Sequence, residues 1–252
     1  MRDFLRSYWK PLLFFAIVGL VGGFFVGLYQ LDSFSEELQQ QVYDQGITRI
    51  QLGVIAAIQS AGWGIVFGGL GIWLSKKIGL WKEERTLAAK PLMITLAVGV
   101  VGGTALILSD WFFFGNYSQA ILDIYAVKPS IPYLIATLTY GAVIEEVMLR
   151  LFLMSLIAFV LYKVFEKNQD RPSVIILIVA NFVAAVLFAA GHLPFTHILL
   201  GSSPVIILRC FLLNGGLALA FGFLYRKYGF RYAMIAHGGC HMVSNLIWIW
   251  ML

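Results

Sequence analysis

Seven apolar runs divide the chain, at residues 11–29, 50–74, 91–114, 132–162, 173–200, 204–224 and 231–251. A helix needs about 20 apolar residues to cross the hydrocarbon of a bilayer. The pattern therefore predicts an all-α fold, a polytopic transmembrane helical bundle of about seven membrane-spanning helices. The fourth and fifth runs are long, so tilting or kinking is expected of them. The first run follows the segment MRDFLRSYWK. It is too long for the apolar part of an ordinary signal peptide, and no small-residue cleavage site follows it. It reads as an uncleaved first helix.

Composition supports this picture. The chain of 252 residues is 60% hydrophobic and 12% charged, against roughly 45–50% and about 25% in soluble domains. Such a chain cannot hide its apolar surface in one globule, so the bilayer serves as part of its solvent. The net charge of +5 does not point to nucleic acid, because the basic residues form short clusters between the apolar runs. The clusters are Arg2, Arg6 and Lys10; Lys76, Lys77, Lys82, Arg85 and Lys90; Lys163, Lys167 and Arg171; and Arg226, Lys227 and Arg231. They hold fourteen of the 18 Lys and Arg residues and fall on alternate loops. The positive-inside rule puts all four, and the N-terminus, in the cytoplasm. The remaining loops carry Asp32, Glu36, Glu37, Asp44, Asp110 and Asp123. The expected location is a cell membrane, with a bacterial plasma membrane the working assumption.

Glycines recur every four residues at Gly19, Gly23 and Gly27, at Gly64 and Gly68, and at Gly99 and Gly103. Small residues at this spacing let helices approach closely in lipid. Cys210 and Cys240 fall inside apolar runs and read as buried structural thiols.

Six ionisable residues lie deep in apolar runs: Glu145, Glu146, Arg150, His192, His237 and His241, with Arg209 a seventh. Charges in a bilayer are costly, so they face a protein interior and generally have a task. In TYGAVIEEVMLRLFLM, Glu146 and Arg150 are four apart and share a helix face. Their pairing leaves Glu145 without a local partner, free to take a proton from water. A polar knot locking helices together explains the same residues structurally. In NFVAAVLFAAGHLPF, His192 follows Phe188 by one turn; a plain helix–helix hydrogen bond is the structural reading. In RYAMIAHGGCHMVSN, His237, His241 and Asn245 share one face, which packing alone explains poorly. His197 reads as interfacial.

These segments resemble the three motifs of the CAAX-protease and bacteriocin-processing (CPBP) family. IEEVMLR is similar to its EExxxR motif, FAAGH to its FxxxH motif, and YGFRYAMIAHGGCH to its third motif, a histidine followed four residues later by Asn or Asp. The similarity covers about residues 130–250. It implies a catalytic helical core at 131–252 and accessory transmembrane helices at 1–130. It also implies a glutamate-dependent intramembrane endopeptidase acting on a membrane-bound or lipidated peptide. Glu145 would activate water and His192 would hold it. The third-motif pair would stabilise the oxyanion, while Glu146 and Arg150 orient the site. Phe188 and Asn245 would lend support. The third motif reads either as His237 with His241, the preferred register, or as His241 with Asn245. A cofactor is not required on this reading. A zinc ion on Glu145, His192, His237 and His241 is an alternative. Competing functions are a proton-coupled transporter with a Glu/His relay and a non-catalytic scaffold or immunity protein.

Depth is the difficulty. At 1.5 Å per residue Glu145 lies about 20 Å into its helix and His237 about 9 Å from the cytoplasmic side, with His192 towards the far end of its own helix. The conflict eases if the fifth helix continues through Pro194 to about Leu200, and tilt, a kink at Pro194 or the choice of His241, one turn deeper, closes more of the gap.

Overall fold

The structure, a computed structural model, describes residues 2–83 and 86–251, the side chains of residues 2–5 excepted. Arg85, one of the loop cations, lies outside the described residues. All regular structure among the described residues is helical: α1 (Arg2–Asp32), α2 (Glu36–Asp44), α3 (Arg49–Lys77), α4 (Ala89–Phe112), α5 (Gln119–Tyr125), α6 (Ile131–Phe165), α7 (Val174–Leu200), α8 (Pro204–Tyr228) and α9 (Phe230–Met251). The predicted runs reappear with most ends moved by a few residues, α1 starting nine residues earlier, and the short helices α2 and α5 are added. Local chemistry sets the boundaries. Ser130, Ser173 and Ser203 accept the N–H groups of Tyr133, Ile176 and Ile206 at the starts of α6, α7 and α8. Thr48 and Gln51 form a capping box on α3. Gly201 and Gly229, at φ of 80° and 115°, end α7 and α8 in a conformation that suits glycine.

Among the described residues six helices are long and apolar enough to cross a membrane: α1, α3, α4, α6, α7 and α8. The seventh expected span, α9, has 22 residues, about 33 Å at 1.5 Å per residue. It falls short in apolarity because His237, His241, Ser244 and Asn245 lie along it. Large apolar side chains face outwards around the bundle, among them Ile58 (64% exposed), Val101 (67%), Ile175 (73%) and Trp250 (86%). This surface suits lipid rather than water.

The four basic segments meet at one end. Tyr8 Oη donates to Glu83 Oε1 at 2.8 Å, and Lys76 reaches both residues. The Tyr8 hydroxyl first, then the Lys76 ammonium, hold the Glu83 carboxyl below its ordinary pKa. Lys82 Nζ donates to the Lys227 carbonyl at 2.7 Å. Arg171 packs against Gly79. At the opposite end Arg49 pairs with Asp32 at 2.6 Å, and Trp248 Nε1 donates to the Val127 carbonyl at 3.0 Å.

The spaced glycines do pack helices. A Cβ at Gly23 of α1 would lie 2.4 Å from both Ala56 O and Ser60 Oγ of α3. One at Gly64 would lie 2.7 Å from Phe15 O, and one at Gly103 of α4 would lie 2.5 Å from Cys240 O of α9. Cys210 and Cys240 are free and buried, as expected.

Candidate active site

The motif helix is not an ordinary α-helix. Within α6, Thr137–Glu145 and Val147–Met154 are π-wound. A π-helix closes hydrogen bonds to i+5, so it is wider and shorter per residue than an α-helix, and it occurs preferentially at functional sites. The 20 Å depth expected of Glu145 assumed α-helical rise and is therefore too large.

Glu146 is fully buried, and Arg150 is 2% exposed. Arg150 Nη1 lies 3.0 Å from Glu146 Oε1, so the pair expected from the spacing exists. The Arg150 guanidinium also sits over the rings of Phe188 and Phe221, at 4.6 and 5.5 Å. These faces supply cation–π attraction to a charge with no water around it. Glu145 is half-buried, and among the described residues it has no hydrogen-bond or ion-pair partner.

On α9, His237 Nδ1 lies 2.9 Å from the same Glu146 Oε1. One carboxylate oxygen thus joins the arginine of its own helix to a histidine of another. The His237 ring stacks on Phe221 at 4.7 Å and on His241 at 4.8 Å. The His241 Nε2 faces Gly141 of α6, where an added Cβ would come within 2.9 Å. Asn245 Nδ2 donates to Thr137 Oγ1 at 3.2 Å. Asn245 Oδ1 is buried without a partner.

Helix α7 does run on through Pro194 to Leu200, which eases the conflict of depth. His192 Nδ1 lies 2.8 Å from the Phe188 carbonyl. A carbonyl only accepts, so Nδ1 carries the hydrogen, and in the neutral tautomer this leaves Nε2 bare. Phe188 bridges the layer, its ring centroid 4.5 Å from His192 and 6.2 Å from His237.

These elements enclose a cavity of about 530 Å³. Glu145, His192, His237, His241, Asn245 and Phe188 all line it, so three helices bring the residues together. Glu146 and Arg150 stand behind the wall. His197 is exposed near the end of α7, beside Ser202, away from the site. Among the described residues no group of three or more His, Cys, Asp or Glu is placed to hold a metal ion. The zinc set suggested by the sequence shares the cavity without converging on one point.

Several site residues escaped sequence reasoning. Phe221, Gly141 and Thr137 carry no charge and belong to none of the motifs, so nothing in the chain marks them before folding. Asp110 is a different case. It is not a loop acid but a fully buried residue of α4. Arg209 grips it through two nitrogens, and Tyr125 Oη donates to it at 2.7 Å. Arg209, alone in an apolar run, was the available signal, since a buried guanidinium requires an anion.

Comparison with known proteins agrees with the geometry. Residues 127–243 match the model of the family described as type II CAAX prenyl endopeptidase Rce1-like. No curated protein and no solved structure gives a match. The matched stretch runs from just before α6 into α9 and includes Glu145, Glu146, Arg150, His192, His237 and His241. Over residues 127–243 this membrane-embedded chain is therefore similar to the type II CAAX prenyl endopeptidase Rce1-like family.

Proposed function

We propose that the chain is a glutamate-dependent intramembrane endopeptidase acting on a membrane-associated or lipidated peptide, with 131–252 as catalytic core and 1–130 as accessory helices. The observation that carries this reading is the shared cavity, where an unpaired glutamate faces three histidines within a lipid-exposed bundle. Peptide hydrolysis needs water, a base for it and donors for the oxyanion.

The roles follow from the hydrogen bonds. Glu145 takes one proton from water as the water oxygen attacks the scissile carbonyl carbon. The bare Nε2 of His192 accepts the second hydrogen of that water and fixes its position. The oxyanion meets the face formed by His237 and His241. His237 donates from Nε2 in the tautomer that carries its hydrogen there, the Glu146 carboxyl then supplying the hydrogen of the Nδ1 contact. Glu146, held by Arg150, fixes the ring through Nδ1. Collapse of the tetrahedral intermediate breaks the C–N bond. Glu145 passes its proton to the leaving amine, giving one new carboxylate and one new amino terminus. Phe188 and Asn245 hold the neighbouring groups in place. General acid–base catalysis of this kind contributes about 10²–10⁴-fold, and one oxyanion donor about 10²–10³-fold.

Comparative peptidomics of cells carrying wild type or Glu145→Gln tests the reading. A set of new peptide termini present only with the wild type is expected. Identical termini in both, as a transporter or scaffold would give, would overturn it.

A further inference from the structure

The cavity is placed asymmetrically along the bundle. Its lining includes Tyr29 and Gln30 at the end of α1, Leu200 at the end of α7, Tyr125 of α5 and Trp248 near the end of α9. All belong to the end opposite the basic segments. Among the described residues none from those segments lines it. The basic half is filled instead. Leu12, Ile78, Leu80, Val147, Leu151, Met154, Ala158 and Tyr225 form one packed core, each at most 8% exposed. The polar route continues outwards from Glu145 past Asn245 and Thr137 to the Arg209–Asp110–Tyr125 cluster, and Gln30 is exposed.

We infer that the site is reached from the face opposite the basic loops, which the positive-inside rule makes extracytoplasmic. This deepens the proposed function and rests on it. The substrates are then peptide segments displayed at or beyond the outer leaflet, since the core on the basic side is filled by packed side chains. A substrate backbone crossing the outer half brings polar amides into a low-dielectric region. The Arg209 and Tyr125 groups, with Tyr29 and Gln30, line that passage and supply polar atoms along it, Arg209 and Tyr125 being held by the buried Asp110.

Cysteine accessibility tests the route without any known substrate, in a Cys210→Ala/Cys240→Ala background because Cys240 lines the same cavity. Single variants Gln30→Cys at the mouth, Met148→Cys on the cavity wall and Lys167→Cys on the basic side are expressed in the full chain. A membrane-impermeant maleimide is added to intact cells and to permeabilised ones. The expected result is labelling of Gln30→Cys and Met148→Cys in intact cells, with Lys167→Cys labelled only after permeabilisation. Met148→Cys reacting only after permeabilisation, or not at all while Gln30→Cys reacts, would overturn the inference. Lys167→Cys labelling in intact cells would overturn it too. Adding Glu145→Gln leaves this pattern unchanged, so a wrong route and a wrong chemistry give different results. With the peptidase reading intact, the Glu145-dependent termini fall in extracytoplasmic segments.

Discussion

Glu146 Oε1 lies within 3.0 Å of Arg150 Nη1 on its own helix and within 2.9 Å of His237 Nδ1 on another. The contact links the first motif to the third through a carboxylate that never touches the cavity. It gives Glu146 a positioning role distinct from that of its neighbour Glu145, which lines the cavity with no partner among the described residues.

Removing one member of this group has a structural cost. Arg150→Met leaves the Glu146 charge buried with its cation gone, and breaking a buried pair costs about 3–5 kcal/mol. Thermal unfolding in detergent is expected to shift down accordingly. The double variant Glu146→Gln/Arg150→Met removes both charges and recovers much of that loss, yet cleavage stays low because His237 has lost the carboxyl that holds its Nδ1. Recovery of both stability and activity would reduce the pair to a structural clasp.

Gly141 separates packing from chemistry more finely. Gly141→Ala places a methyl group 2.9 Å from His241 Nε2, inside ordinary contact distance. The ring must move, and the oxyanion face moves with it. A fall in kcat of about 10²-fold, the size of one lost oxyanion donor, is expected with little change in KM. A parallel rise in KM would instead place His241 in substrate binding.

Helix association rests on the α1/α3 seam. Gly23→Val collides with backbone and side-chain atoms of Ala56 and Ser60, and overpacking of this kind costs about 1–3 kcal/mol. Gly62→Ala, where an added Cβ meets nothing within 4 Å, is the matched control. A lowered melting temperature is expected for the first variant alone.

The donor arrangement also bears on metals. Glu145, His192, His237 and His241 share a cavity, but no three such groups converge, and His237 Nδ1 is engaged by Glu146. Cleavage by the purified protein is expected to survive prolonged treatment with a strong chelator. Loss of cleavage that zinc restores would return these four residues to the role of ligands.

Much of this was legible in the sequence because lipid makes charge conspicuous. Seven apolar runs gave the long helices, mostly within a few residues at their ends, and the charges inside the runs marked the residues of the cavity and its wall, down to the Glu146–Arg150 pair. What stayed hidden was whatever carries no charge. The π-winding of α6 leaves no mark in an apolar pattern, and it altered the depth of Glu145. Phe221 looks like any core aromatic until His237 stacks on it. The Glu146–His237 contact joins residues from helices whose relative rotation no local pattern sets. Asp110 lay at the end of a run, and only the fold shows that it is sealed behind Arg209 and Tyr125.

The most direct measurement compares purified wild type and Glu145→Gln on a peptide bond identified by the peptidomic comparison. The substitution keeps the shape of the side chain and removes the base. The expected result is a drop in kcat/KM of at least about 10²-fold at an unchanged melting temperature. Turnover by Glu145→Gln at the wild-type rate would contradict the account, because water would then be activated by some other group.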